Sequence, residues 1–244
     1  RGASSRVHRV EGTGRVDGEL TKGTATTKLA AERFQLELAE KTGEARQLTA
    51  SGNVRAETRA PRVDGPGARV RRLQAETVLL DFAPTGRNGA AQVQSAKTLT
   101  RGSLVWEETA GDGGSVEKTT QLEADKLELN FQANGQPGDA SAKENVQVRR
   151  SMAGKPEQTG SSREGTARFD DKGEWTEIVL RGGVRLRQGD RRGQADTATF
   201  SRAGQTAMLT GNPIVSEAAT RTTARAITFA QNTGEVRASG GVRT

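Results

Sequence analysis

One short pattern recurs six times along this chain of 244 residues and constrains its fold more than any other feature. Each copy starts on alanine followed by an acidic residue, or on a variant of that pair. Apolar residues follow three and five positions later, which is typical of a β-strand with one buried face. The starting pairs are Ala31–Glu32, Ala75–Glu76, Ala124–Asp125, Glu164–Gly165, Ala195–Asp196 and Ala224–Arg225. The apolar positions are Phe34 and Leu36, Val78 and Leu80, Leu127 and Leu129, Ala167 and Phe169, Ala198 and Phe200, Ile227 and Phe229, with Leu38, Phe82 and Phe131 continuing the first three copies.

A glycine-containing turn follows each strand, at residues 41–44, 134–136, 171–174, 203–205 and 233–235, and in a longer version with Gly86 and Gly89. Short hairpin loops need residues with positive φ, so each turn predicts an antiparallel hairpin. The returning strands carry apolar residues at alternate positions: Leu48 and Ala50, Ala140 and Ala142, Ile178 and Leu180, Ala207 and Leu209, Val236 and Ala238. The second copy has Thr98 and Thr100 instead.

Every returning strand is predicted to end on a step of glycine or asparagine: Gly52–Asn53, Gly102–Ser103, Glu144–Asn145, Gly182–Gly183, Gly211–Asn212 and Gly240–Gly241. Such a permissive step indicates a bulge, or a sharp bend that turns the sheet over its own interior.

No segment has helical periodicity, so the sequence predicts an all-β fold of stacked hairpins. The repeats start near residues 31, 75, 124, 164, 195 and 224, after a partial or irregular first repeat at 1–28. Residues 61–67, 111–114 and 151–162 are rich in Gly, Pro or Ser and are predicted to be loops. We expect a single domain over residues 1–244.

The residue inventory argues against an enzyme. The chain has no cysteine and one histidine, His8, which excludes Cys–His catalysis and His-rich metal sites. It also has no phosphate-cradling glycine loop, and we predict no cofactor and no metal. The recurring alanine–acid pair is best explained as a repeat feature on the solvent side of each first strand. The chain starts at Arg1 with no apolar run of membrane-spanning length, and we expect that a signal or anchor segment preceded it.

Arginine and lysine outnumber acidic residues by 37 to 30, which gives a net charge of +7. The basic clusters are Arg69, Arg71 and Arg72; Arg149 and Arg150; Arg181, Arg185 and Arg187; Arg191 and Arg192. They are either solvated strand faces or a basic rim for phosphorylated head groups. Aromatic residues make up only 3% of the chain, which disfavours single-stranded nucleic acid as a partner.

Several segments resemble the OstA-like periplasmic proteins of lipopolysaccharide transport, namely LptA, LptC and the N-terminal domain of LptD. They are Leu209–Thr210–Gly211–Asn212, residues 50–54, residues 124–127 and residues 195–200, and the repeated pattern covers residues 29–244. The resemblance implies an elongated, twisted antiparallel β-jellyroll, V-shaped and partly open. It also implies stacking of such domains end to end between the inner and outer membranes of a Gram-negative bacterium.

The resemblance therefore predicts a periplasmic conduit that carries the acyl chains of lipopolysaccharide, or of a related anionic lipid, in an apolar groove. The expected partners are other OstA-like domains, joined through edge strands, and membrane-embedded export components; no nucleic acid is expected. The predicted groove lining is Phe34, Leu36, Leu48, Val78, Leu80, Leu127, Leu129, Phe131, Phe169, Ile178, Leu180, Phe200, Leu209, Ile227 and Phe229. The predicted head-group contacts are Arg69, Arg71, Arg72, Arg185 and Arg187.

Two other functions fit the same residues. A structural β-repeat module would join protein partners through its exposed edges. A basic β-domain would bind acidic polysaccharide or nucleic acid in a strongly salt-dependent manner.

Overall fold

The computed structural model describes residues 7–22, 24–62, 65–84, 92–111, 114–230 and 233–244. This part of the chain consists of seventeen strands joined in one sheet, and every strand pairing is antiparallel. Within those residues no helix has the length and apolarity needed to cross a membrane. The strands are β1 (Arg9–Lys22), β2 (Ala25–Leu38), β3 (Ala45–Pro61), β4 (Ala68–Ala83), β5 (Gln92–Thr98), β6 (Gly102–Thr109), β7 (Val116–Ala124), β8 (Lys126–Phe131), β9 (Pro137–Met152), β10 (Lys155–Phe169), β11 (Trp175–Gln188), β12 (Arg191–Ser201), β13 (Thr206–Thr210), β14 (Ile214–Glu217), β15 (Thr220–Thr223), β16 (Ala226–Ala230) and β17 (Val236–Ser239).

Most long strands change partners or register near their middle, which divides the sheet into two halves. For example, the C-terminal half of β4 pairs with β5, whereas its N-terminal half pairs with β6. Half-sheet A consists of residues 9–13, 33–38, 45–51, 78–83, 92–98, 126–131, 137–143, 164–169, 175–181, 197–201, 206–210, 226–230 and 236–239. Half-sheet B consists of residues 16–22, 25–30, 54–61, 68–75, 102–109, 116–124, 146–152, 155–162, 184–188, 191–195, 214–217 and 220–223.

The bend between the halves is built from pairs of consecutive residues with positive φ. Gly52 and Asn53 have φ angles of 81° and 49°, and the register between β3 and β4 shifts at this point, between Ser51 and Val54. The same arrangement occurs at residues 144–145, 182–183, 211–212 and 240–241. The second residue of the alanine–acid pair lies opposite this step. The backbone N–H of Asp196, for example, donates to the carbonyl of Gly211 at 2.9 Å.

The core follows the inside of the bend, where both half-sheets contribute side chains. Its buried residues form three clusters, centred on Val54 and Val78, on Leu127 and Val146, and on Leu180, Val184 and Leu209. The halves touch closely there, because a Cβ added to Gly193 of half-sheet B would lie 3.2 Å from the Leu209 Cδ1 of half-sheet A. The all-β class, with consecutive hairpins folded into a jellyroll around this bend, is therefore confirmed.

The strands are longer than the sequence predicted. β3, β9 and β11 continue through their glycine or asparagine steps and bend there, so the prediction that they end at those steps is wrong. The predicted loop at 151–162 is also wrong, since those residues form the end of β9, a turn at 153–154 and the start of β10. Gly160 misled the prediction because it is a strand residue that packs closely against another strand: an added Cβ would lie 3.1 Å from Leu186 Cδ2.

The second repeat departs from the others. The step Gly102–Ser103 has no residue with positive φ, and the chain instead passes from half-sheet A to half-sheet B between β5 and β6. Thr98 is consequently buried, whereas Thr100 is exposed. The predicted turn at Gly86 and Gly89 lies outside the described residues.

The bend geometry predicts unequal effects for two alanine substitutions. Gly211 and Gly234 have similar φ angles of 75° and 73°, but only at Gly211 would a Cβ meet a close neighbour, Asp196 Cβ at 2.5 Å. We expect Gly234→Ala to lower the free energy of unfolding by about 1 kcal/mol, from the strain of a left-handed alanine. Gly211→Ala should cost at least twice as much, measured by urea unfolding. Equal losses would contradict the close approach of Asp196.

Candidate functional site

One continuous row of apolar side chains crosses the whole of half-sheet A. Directly paired residues on antiparallel strands point to the same face, so successive pairings trace the row from β1 to β17. We call this the outer apolar row. Its residues are Val10, Leu36, Leu48, Leu80, Ala96, Leu129, Ala140, Ala167, Ile178, Phe200, Ala207, Phe229 and Val236.

A second row, the inner apolar row, lies beside it and closer to the bend. Most of its members are fully buried, including Leu127, Leu180, Leu209 and Ile227. Its one side chain with a polar group is Thr98, which is 4% exposed and whose Oγ1 accepts the backbone N–H of Leu127 at 3.0 Å. The row consists of Gly12, Phe34, Ala50, Val78, Thr98, Leu127, Ala142, Gly165, Leu180, Ala198, Leu209, Ile227 and Ala238.

Half-sheet B contributes a third apolar row, which sequence reasoning missed. It consists of Gly18, Leu29, Ala56, Leu73, Leu104, Leu122, Val148, Gly160, Leu186, Gly193, Val215 and, at its end, Thr222. A signal for this row was present, because leucine stands two positions before the alanine of the first three repeats. Counting only forward from the alanine left these residues out.

These three rows line a trough, and the bend between the half-sheets forms its floor. In its N-terminal and middle parts, Leu36, Leu48 and Leu129 are half-buried and lie outside the three buried clusters of the described residues. At the C-terminal end, by contrast, Ile178, Phe200 and Phe229 pack against the buried cluster around Leu209. Leu80, in the N-terminal part, likewise packs against the cluster around Val54 and Val78. The outer apolar row therefore touches the buried core at some strands and stands apart from it at others.

Every predicted lining residue lies in half-sheet A. Seven belong to the outer apolar row: Leu36, Leu48, Leu80, Leu129, Ile178, Phe200 and Phe229. Six belong to the inner apolar row: Phe34, Val78, Leu127, Leu180, Leu209 and Ile227. The remaining two, Phe131 and Phe169, lie one step further from the bend, beside Pro137 and Trp175.

Half-sheet B carries arginines on its inner face, one step further from the bend than its apolar row. Cross-strand pairing places Thr58, Arg71, Trp106, Thr120, Arg150, Gln158, Gln188 and Arg191 in a single row, which we call the arginine row. Arg191 shows that this row faces half-sheet A, because its guanidinium carbon lies 5.8 Å from the centre of the Phe229 ring.

Arg69 and Glu174 form an ion pair across the trough. Arg69 belongs to β4 in half-sheet B, whereas Glu174 lies in the turn before β11 at the rim of half-sheet A. Their charged atoms are 2.5 Å apart, and Glu174 also pairs with Arg202 at 2.7 Å. Burial is the main cause that lowers the pKa of the neighbouring Arg71, with Arg69 adding to the effect and Glu174 opposing it.

The five predicted head-group arginines do not form one site. Arg69 and Arg71 point into the trough, whereas Arg72, Arg185 and Arg187 lie on the opposite face and are exposed. Arg72 is held between Glu57 and Glu107, at 2.8 and 2.6 Å, and its hydrogen bonds to these carboxylates raise its pKa. The outer face near Arg72 thus carries paired, solvated charge.

The alanine–acid pairs of the repeats do not line the trough as a charged site. Ala31, Ala75, Ala124 and Ala195 are buried at the bend, and the acidic neighbours Glu32, Glu76 and Asp196 are exposed. In the described part of the chain, no group of three or more His, Asp or Glu side chains is positioned to hold a metal ion.

Residues 114–235 match the family described as LptA/(LptD N-terminal domain) LPS transport protein. Among solved structures, the chain is similar to LptH, the LptA-homologous periplasmic component of the conserved lipopolysaccharide transport device from Pseudomonas aeruginosa. That similarity has 14% sequence identity and a TM-score of 0.41, and covers 50% of this chain and 82% of the other. No curated protein matches the chain.

The two rows of half-sheet A should respond differently to truncation. Leu127 of the inner apolar row is 4% exposed, whereas Leu129, two residues along β8, is half-buried on the same face. We expect Leu127→Ala to cost about 3 kcal/mol of unfolding free energy through cavity formation, and Leu129→Ala about 1 kcal/mol or less. Chemical unfolding of both variants measures this. A similar large loss at both positions would mean that the outer apolar row is closed core.

Proposed function

The chain belongs to the LptA/LptD N-terminal domain family of lipopolysaccharide transport proteins, and we propose that it is a periplasmic conduit for the acyl chains of lipopolysaccharide. In this proposal residues 1–244 act as one unit, located between the inner and outer membranes of a Gram-negative bacterium. The lipid lies along the trough, with its acyl chains on the outer apolar row.

The continuity of the outer apolar row is the observation that supports this proposal. Exposure of an acyl chain to water costs about 0.8 kcal/mol per CH₂, or on the order of 10 kcal/mol for one ordinary chain. A lipid crossing an aqueous compartment therefore needs an apolar surface without gaps. The row supplies an apolar residue on each strand of half-sheet A, from Val10 to Val236.

An outer apolar row that is only half-buried favours movement of a lipid along the trough over tight binding at one place. A closed pocket would hold one lipid in a deep energy minimum, whereas similar medium-sized side chains at one depth allow a chain to slide. The sequence contains no nucleotide-binding loop, so the energy for directed movement comes from another component of the export machinery.

Strand β1 favours assembly with further domains of this family. It is 14 residues long and, within the described chain, pairs on one side only, with β2. A long unpaired edge readily accepts another strand. We propose that a related domain, or a membrane-embedded export component, docks on this edge and continues the trough.

Photo-crosslinking at neighbouring positions on opposite faces tests the conduit. Phe200 lies in the trough, and Thr199 lies beside it on the other face of β12. With a photoreactive residue at position 200 or 129, the full chain should capture purified lipopolysaccharide. The same residue at position 199 is the matched control and should capture little. Capture at 199 that equals capture at 200 would contradict a lipid path inside the trough.

A further inference from the structure

Two arginines inside the trough have no carboxylate of a described residue within ion-pair distance. Neither Arg71 nor Arg150 forms an ion pair or a side-chain hydrogen bond with any other residue that the structure describes. Both are half-buried, and the Nε of Arg150 is fully buried with no hydrogen-bond partner. Their positions in the arginine row place both on the face that looks toward half-sheet A.

Other arginines of this chain do have acidic partners. Arg191, in the same row, binds Glu217 through contacts of 2.8 to 3.1 Å. Arg72, next to Arg71 but on the outer face, contacts two glutamates. Carboxylates thus contact these two arginines directly, whereas none of the described carboxylates contacts the two guanidiniums in the middle of the trough. Glu174 is paired with Arg69 and Arg202 and acts on Arg71 only at longer range.

A guanidinium in a partly dry environment is costly unless an anion accompanies it. Arginine stays protonated even when burial lowers its pKa, as burial does for Arg71, so deprotonation does not remove this cost. Its planar fork suits the bidentate binding of phosphate oxygens. The two halves come within reach of each other at Arg191, which lies against Phe229, and near Arg71, where Arg69 pairs with Glu174 of half-sheet A. A lipid bound to the arginine row at these places would also reach half-sheet A.

We propose that Arg71 and Arg150 bind phosphate groups of an anionic lipid whose acyl chains lie on the outer apolar row. This inference rests on the proposed conduit function and adds a chemical selectivity to it. Arg71 and Arg150 are three strands apart, through Trp106 and Thr120, which corresponds to about 14 Å along the row. They are therefore two separate phosphate contacts, one after the other along the path.

Binding of two lipids that differ only in the phosphate tests the proposal. The probes are dioleoyl phosphatidic acid and dioleoylglycerol in detergent micelles, with inorganic phosphate as competitor. The full chain is compared with Arg71→Met, Arg150→Met, the double variant and Arg72→Met. The last is the matched control, because it removes the same charge one residue away on the outer face.

We expect each trough substitution to weaken phosphatidic acid binding about tenfold, which is typical for loss of a charge-assisted hydrogen bond. Dioleoylglycerol binding should not change, and Arg72→Met should affect neither lipid. Thermal unfolding without lipid supplies a second readout. The melting temperature of Arg71→Met should stay the same or rise, since an apolar side chain replaces a desolvated charge.

Three results would overturn the proposal. The first is an unchanged affinity for phosphatidic acid in the double variant. The second is an equal loss of affinity for phosphatidic acid and for dioleoylglycerol. The third is full displacement of phosphatidic acid by equimolar inorganic phosphate, because the site would then take the free ion. Failure of the conduit itself looks different: position 200 would capture no lipopolysaccharide in any variant. If the double variant still captures it as the unmodified chain does, the conduit stands without these contacts.

Discussion

The paired residues with positive φ in the middle of the strands are the constraint on which the rest of this structure depends. A regular strand carries alternate side chains to opposite faces and cannot serve two sheets. Steps such as Gly52–Asn53 and Gly182–Gly183 turn the strand and shift its register, so that one strand belongs to both half-sheets. These bends lie on alternate strands, opposite the alanine–acid pairs of the strands between them. They therefore align into a single fold line, and the apolar faces of both halves meet inside it.

This geometry separates structural and functional roles by distance from the fold line. The inner apolar row is buried and joins the two halves, as the approach of Leu209 to Gly193 illustrates. Residues one step further out, such as Leu36 and Leu129, remain half-exposed because the halves diverge. The same side chains thus cover the core and leave a half-exposed apolar surface along the trough. A trough of this kind needs no dedicated pocket.

Much of half-sheet A could be predicted from the sequence, because period two counted from Ala31 or Ala195 identifies its face directly. The prediction failed where the signal depends on tertiary context. Gly160 and Ser162 suggested a loop, although Gly160 occupies a strand position beside Leu186 and Ser162 is buried in β10. In β3, β9 and β11, strand ends were predicted at residues that bend the strand without ending it, whereas β13 and β17 do end at their steps. The separation of Arg71 from Arg72 could be inferred only after the leucine at position 73 was assigned to the trough.

Each strand of half-sheet A adds one side chain to the outer apolar row, so the length of this surface grows with the number of those strands while its cross-section stays the same. Neighbouring strands are about 4.8 Å apart, and a further hairpin would therefore extend the path by about 10 Å. Duplication of one hairpin would give a longer chain whose trough has the same width. The number of hairpins would then set the length of the trough, and the bend that every hairpin shares would set its width.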